Sequence, residues 1–258
     1  MSSSAPASPD PVASSHSQVS SESQVSSDSL ASSEAIRAFL VEQVNSMLRR
    51  LGMYGGEPAL WAALRHLSFV EQGTEAWERQ WRTWLERAGR ATGVRGVFRD
   101  MSPGHRVQED ALASVYAEFA RGRGWLVPDR VLDADACARV RDRARAWAGE
   151  DRTWSDVTTE FGEPALTLGG TNPLYGKTLG YFGADPAQPA VWFHLHNGAE
   201  PEGEWPPKRA EPVLLAVRCG EDGPLDDTFT FTPEGWRLMP ENDGCGHHGW
   251  RRPESPIG

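Results

Sequence analysis

The stretch "VWFHLHNG", residues 191 to 198, carries the densest chemistry in the chain. Extended backbone sends successive side chains to opposite faces, so Trp192, His194 and His196 share one side and Val191, Phe193 and Leu195 the other. Imidazoles two residues apart on a strand stand roughly 7 Å apart, a spacing used by pairs of zinc ligands. A catalytic zinc wants three protein ligands and an open position. Third-ligand candidates are Cys219, or Cys245, His247 and His248 in the C-terminal "CGHHG". No complete ligand set is visible, and neither a metal nor a cofactor is assigned.

The second chemical stretch is "GGTNPLYGKT", residues 169 to 178. A phosphate-binding loop needs a glycine, four residues, then Gly-Lys-Ser/Thr. That glycine position holds Thr171, and Gly170 is one residue too early. The loop must also open a helix whose N-terminal N–H groups hold the phosphate. Here "TLGYFGADP" follows, which is strand-like. The expectation is a hairpin: a strand over 165–168, a turn on Gly-Gly and Asn-Pro, and a returning strand from Lys177. Lys177 then neighbours the histidine strand, and Asn172, Tyr175, Lys177, Trp192, His194 and His196 are the expected binding residues of a small-ligand face.

Two short stretches resemble known families. The histidine strand resembles the metal-binding strand of alpha-type carbonic anhydrases, with its Phe-His-x-His-x-Gly pattern. The resemblance implies zinc on His194 and His196, with the third histidine some two dozen residues on, near Cys219. "RRLGMYGG", residues 49 to 56, resembles the Arg-Pro-x-Met-Tyr-Ile-Gly segment of gyrase-type ATPases. That resemblance implies an Asn with acidic neighbours on the next helix, to hold magnesium. Leu51 replaces the proline, and the next helix, "ALWAALRHLSFVE", has neither Asn nor Asp. The bottom-up expectation is a helix–loop–helix corner with Met53 and Tyr54 in the core.

Other nucleophile arrangements are missing. The chain has no G-x-S-x-G and no H-E-x-x-H. Cys219 ends a buried-looking strand with nothing local to lower its pKa. Cys137 lies on an apolar helix stripe, as a small core residue would. The carboxylate pairs Glu221/Asp222 and Asp226/Asp227 fall in a turn-rich loop and read as solvated. The cysteines are three and widely spaced, which gives no disulfide framework.

The 258 residues carry a formal charge of −10, of which −4 comes from Asp10, Glu22, Asp28 and Glu34. An acidic body argues against general nucleic-acid binding, which needs clustered cations. There is no positively charged segment followed by an apolar run at the N-terminus, and no run long enough to span a membrane. A cytoplasmic location is the expectation. Only Lys177 and Lys208 are lysines among 26 basic residues, which, with the Ala, Gly and Pro content, points to a high-GC bacterial genome.

The elements that must position these groups fall into two halves. Residues 1–34 read as a disordered Ser-rich tail whose last part is four imperfect hexads. A helical subdomain is expected over 35–92. Its first helix carries Ile36, Phe39, Leu40, Val44, Met47, Leu48 and Leu51 at three-and-four spacing. The second carries Leu60, Trp61, Leu64 and Leu67. The third carries Trp77, Trp81 and Trp84 as inter-helix packing. "ATGVRGVFRDMSPGH" is the expected linker. An α+β domain over 105–238 has two further helices, a short capped helix at "TWSDVTTEFGEP", and strands at "ALTL", "KTLGYF", "AVWFHLH", "PVLLAVR" and "TFTFT". A last strand, "WRLM", and an irregular tail over 239–258 complete it. The expected fold class is α+β: an N-terminal helical bundle, then a mainly antiparallel β-sheet packed with one or two helices.

The first functional expectation is a non-catalytic, regulatory protein that binds a protein partner, an immunity role being one that fits. The alternatives are a metal-dependent hydrolase using His194 and His196, and a small-ligand binder on the sheet face. The expected partners include no nucleic acid and no membrane.

Overall fold

The alternating segments after residue 165 pair as a meander. The computed structural model describes residues 19–89, 93–103, 108–198, 209–220 and 223–240. Helices come first: α1 (Val19–Arg49), α2 (Gly56–Val70), α3 (Thr74–Arg87), α4 (Gly93–Met101), α5 (Glu109–Gly122), α6 (Ala134–Trp147) and α7 (Trp154–Phe161). Strands β1 (Leu166–Gly169), β2 (Lys177–Tyr181), β3 (Val191–His196), β4 (Val213–Cys219) and β5 (Phe229–Phe231) follow, then α8 (Pro233–Leu238). The five strands form one antiparallel sheet in sequence order, an α+β layout as expected. Gly169 pairs with Lys177, which closes the β1–β2 hairpin where the Gly-Gly and Asn-Pro turn signals lie.

The caps follow from the sequence. The Asp133 side chain accepts from the Ala136 N–H at 2.7 Å and starts α6. Thr153 and Asp156 form a reciprocal capping box on α7, and Gly162 at φ 77° ends it. Cys137 is buried in the core, as its stripe predicts.

Both faces of the sheet are covered. Phe193 meets the rings of Trp147 on α6 and Phe161 on α7, at 6.2 and 5.2 Å between centroids. On the opposite face, His194 meets Phe98 of α4 at 5.7 Å, and Trp192 bonds Glu118 of α5. Helix α5 therefore lies between the sheet and the other N-terminal helices, and Ala111 to Ala117 are buried without a break. One cluster of buried residues joins α1–α6 to the sheet. The Trp61, Trp77, Trp81 and Trp84 rings pack edge-to-face as inter-helix core.

Four expectations need correction. The expected linker holds α4, whose Val94, Val97, Phe98 and Met101 are buried at helical spacing. The expected last strand, "WRLM", lies largely in α8: Thr232 caps it and Pro233 occupies its first turn, so "TPEG" opens a helix rather than a turn before a strand. Met53 is 76% exposed and Tyr54 is exposed as well. A 3₁₀ turn over Leu51–Met53 ends on Gly55 and Gly56 at positive φ, so Leu51 enters the core and the next residues point out. Ile36 and Phe39 are also exposed, while Val44, Leu48 and Leu51 form the buried end of the α1 stripe. Helix α1 is assigned from Val19; residues 1–18 of the expected tail, and 241–258 of the expected C-terminal tail, lie outside the described residues.

Candidate functional site

Helix α5 carries Asp110, Ser114 and Glu118 at every fourth position, one stripe of polar side chains. Opposite it, the buried strand β4 presents Arg218, whose side chain is 1% exposed. Arg218 Nη2 lies 3.0 Å from Glu118 Oε1, and Nη1 donates to Oε2 at 3.2 Å. Trp192 Nε1–H donates to Glu118 Oε1 at 2.7 Å, and Arg218 Nη2 also donates to Ser114 Oγ at 3.1 Å. Both carboxylate oxygens of Glu118 are thus held by buried donors.

Glu118 also lines a cleft of about 480 Å³ between α3 and α5. Helix α3 contributes Arg79, Gln80, Thr83, Trp84 and Arg87. Helix α5 contributes Val115 and Phe119 beside Glu118, its C-cap residue Arg123 follows, and Pro186 also lines the cleft. Arg121 donates to the carbonyls of Gln188 at 2.9 Å, Gly183 at 3.2 Å and Asp185, which fastens the Pro186 loop to α5. Arg87 Nε–H donates to the Gly223 carbonyl at 2.9 Å, which anchors the far end of α3. Arg123 lies over Gly73, where a Cβ would stand 2.9 Å from its Nη2, and pairs with Glu71 at 3.2 Å. Arg79 is 65% exposed, with Glu75 no closer than 3.8 Å. The lining thus includes three arginines and one carboxylate that Arg218 pairs from the sheet side, with the Arg87 and Arg123 forks held at opposite ends of α3 by the Gly223 carbonyl and Glu71. Thr83 gives its hydroxyl proton to the Arg79 carbonyl at 3.0 Å.

The sequence-predicted residues are not brought together. Trp192 and His194 are buried beneath α4 and α5, so the open ligand face expected of the sheet is covered. Lys177 pairs with Leu195 in register and lies on the opposite face from His194 and His196. It is buried, with Nζ 3.2 Å from the Asn172 carbonyl and 4.2 Å from the Trp154 ring centroid. Its pKa is lowered by burial, with Asp110 acting in the opposite sense. Asn172 and Tyr175 sit exposed in the hairpin loop.

The histidine pair does not converge on a point. His194 Nδ1 lies 3.1 Å from Thr178 Oγ1. His196 Nδ1 lies 3.1 Å from the Gln108 amide, and its Nε2 accepts from Gly198 N–H at 3.0 Å. Both His196 nitrogens are thereby engaged. Cys219 pairs with Val191 and faces the other side of the sheet. Among the described residues no group of three or more His, Cys, Asp or Glu is arranged to hold a metal. Cys245, His247 and His248 lie outside the described residues.

Burial makes both imidazoles weak bases, and the charges of Arg218 near His194 and Arg209 near His196 add to it. His194 is held well below 6.5, and His196 is lowered to about 4. Asp110 runs the other way, pushed up to about 6 by burial. The unfolded chain takes up the histidine protons near pH 6.5 and the native state does not. Their stabilisation is full above that pH and falls as pH drops, for His196 down to about 4. Asp110 binds its proton more readily in the native state, so acidification through pH 6 adds stability. Between pH 7.5 and 5, His196 alone loses about 2 kcal/mol and Asp110 returns about 1 kcal/mol. With His194 also losing, urea midpoints are expected to fall over this range. Asp110→Asn should steepen the fall and His196→Gln should flatten it.

No family model matches the chain, and neither a curated protein nor a solved structure matches it. Among the described residues, no helix is long and apolar enough to cross a membrane.

Proposed function

We propose that this chain is a non-catalytic regulatory protein whose working site is the α3–α5 cleft, and that the cleft takes a small anionic ligand. The observation that supports this proposal is a cleft whose lining includes Arg79, Arg87 and Arg123 and whose carboxylate is already paired with Arg218. A volume near 480 Å³ lies in the range of small-molecule sites. Net charge favours a small ligand over an acidic macromolecule. A chain of −10 repels an extended acidic surface, whereas a small anion responds chiefly to charges within about 8 Å at physiological salt. The regulatory part of the sequence expectation is kept, and the binding site moves from the sheet face to the cleft. A protein partner would respond to the liganded state. The metal-dependent hydrolase gains no support, because His196 is fully engaged and Cys219 faces away.

A saturating anionic ligand should raise the thermal midpoint by about 5 °C at ~100-fold over its Kd. Citrate and sulfate titrations on the wild type and on Arg79→Glu provide the test. Arg79 is 65% exposed, so the variant should keep the fold and its own midpoint and lose the anion response. A response of equal size in Arg79→Glu would remove the cleft as the site.

A further inference from the structure

Strand β3 runs out into Asn197–Gly198, which sets a side-chain amide before the residue with the least hindered backbone nitrogen. Such a pair can close to a succinimide, lose ammonia and reopen with water as aspartate or isoaspartate. The closing step needs a base, because the lone pair of an intact amide nitrogen is delocalised into its carbonyl. His196 stands where that base is needed. Its Nε2 accepts from the Gly198 N–H at 3.0 Å, within the reach required of a general base. A neutral imidazole has one donor and one acceptor nitrogen, so Nδ1 carries the proton. Nδ1 lies 3.1 Å from the Gln108 amide, whose Oε1 has no partner while its nitrogen faces the ring. Turned about, Oε1 accepts the Nδ1 proton and fixes the tautomer that leaves Nε2 basic. Gln108, His196 and the Gly198 N–H then stand as orienting group, base and nucleophile. A Cβ on Gly198 would stand 2.4 Å from His196 Cε1, so this arrangement requires the glycine.

Asn197 is 4% exposed. Its Nδ2 donates to the carbonyls of Leu174 at 2.7 Å and Arg209 at 3.1 Å, while Oδ1 has no partner. We propose that Asn197–Gly198 is a self-modifying site, at which His196 takes the Gly198 amide proton and the chain deamidates itself. The Gly198 nitrogen bonds to Asn197 Cγ, the Cγ–Nδ2 bond breaks, and the proton held by His196 leaves with Nδ2 as ammonia. Solvent water then adds to a carbonyl of the succinimide and opens it to a carboxylate and a proton. The product has no N–H to give to the Leu174 and Arg209 carbonyls and sets a negative charge against them. The tie between the β1–β2 hairpin loop, the end of β3 and the approach to β4 is thereby lost, and the protein ages from this corner.

Peptide mapping of the full chain during incubation at pH 7.5, folded and in urea, measures aspartate plus isoaspartate at position 197. The folded wild type should react about ten-fold or more faster than the chain in urea. That margin lies below the usual general-base range of roughly 10²–10⁴, because burial makes His196 a weak base. His196→Gln should abolish the folded-state advantage and leave the rate in urea unchanged, an effect that loosening of the fold alone would not give. The modified wild type should melt at a lower temperature than the fresh protein. A folded wild type that reacts no faster than the chain in urea would overturn the proposal, whether or not His196→Gln folds. A folded His196→Gln protein that keeps the wild-type rate would overturn it as well.

Discussion

Arg218→Ala is expected to destabilise the protein by about 3–5 kcal/mol, the usual cost of removing one partner from a buried ion pair. The arginine side chain is 1% exposed and Glu118 is 13% exposed, so water entering by the cleft replaces only part of the lost pairing. Truncation leaves the Glu118 carboxylate with Trp192 Nε1–H as its remaining bonded donor among these contacts, and deprives Ser114 Oγ of Arg218. It also removes a positive charge that helps to keep His194 neutral, so the His194 pKa should move upward. Urea unfolding at pH 7.5 measures the first effect, and the imidazole proton resonances measure the second. The double variant Arg218→Met/Glu118→Leu should recover part of the loss, because it removes the charge that would otherwise stay buried. Recovery is incomplete, since Trp192 Nε1–H then has no carboxylate to meet. A cost for Arg218→Ala below about 1 kcal/mol would mean that water in the cleft solvates Glu118 as well as Arg218 does.

The same pair links the fold to the site. Glu118 lines the cleft, and Arg218 offsets its charge from the sheet side. Without Arg218 the cleft gains an unscreened negative charge and should bind anions more weakly. Glu118→Gln does the reverse: the amide oxygen still accepts from Trp192 while the negative charge is gone. That variant should bind anions more tightly and fold less stably. Opposite movement of affinity in two variants that both lose stability separates an electrostatic site from general loosening.

The strands and most helices are legible because they alternate or repeat in a way that local chemistry explains. The strand from Val191 to His196 alternates, and its pairing partners follow at turn signals. Helix α4 is hidden by composition: Gly93, Gly96, Arg95, Arg99 and Asp100 resemble a linker, while Val94, Val97, Phe98 and Met101 keep helical spacing. Which sheet face would be open is not legible. Alternation tells which side chains share a face, but covering that face depends on α5 packing between the sheet and the other helices. The buried pair left a local trace, an arginine inside the apolar run "PVLLAVRC" and a polar residue at every fourth position of α5. The cleft left less. Arg79 and Arg87 read as an ordinary solvated helix face, and they line one cleft with Arg123 only because α3 packs beside α5.

The second large effect concerns backbone space where the sheet is irregular. The register of β3 against β4 shifts between His194 and Leu195, which pair with Ala216 and Leu214 and leave Leu215 as the extra residue of a bulge. The Leu215 carbonyl turns to accept from Thr232 N–H at 3.0 Å, and Thr232 Oγ1–H donates to the Leu214 carbonyl at 2.6 Å. These bonds draw the first turn of α8 onto the bulge. A Cβ on Gly235 would stand 1.9 Å from the Leu215 carbonyl oxygen and 2.7 Å from its carbon. Both groups are backbone, so no side-chain rotation relieves the contact. Gly235→Ala must lift α8 or break the Thr232 bonds, and is expected to cost about 3 kcal/mol or more. Gly180→Ala meets the Trp192 ring instead, at 2.5 Å, and an indole can tilt where a carbonyl cannot, so its cost should be smaller. Gly122→Ala meets nothing within 4 Å at an ordinary φ and serves as the neutral control. Urea unfolding of the three variants should rank Gly235 above Gly180 above Gly122. A Gly235→Ala protein as stable as Gly122→Ala would show that α8 is not held against the bulge in solution.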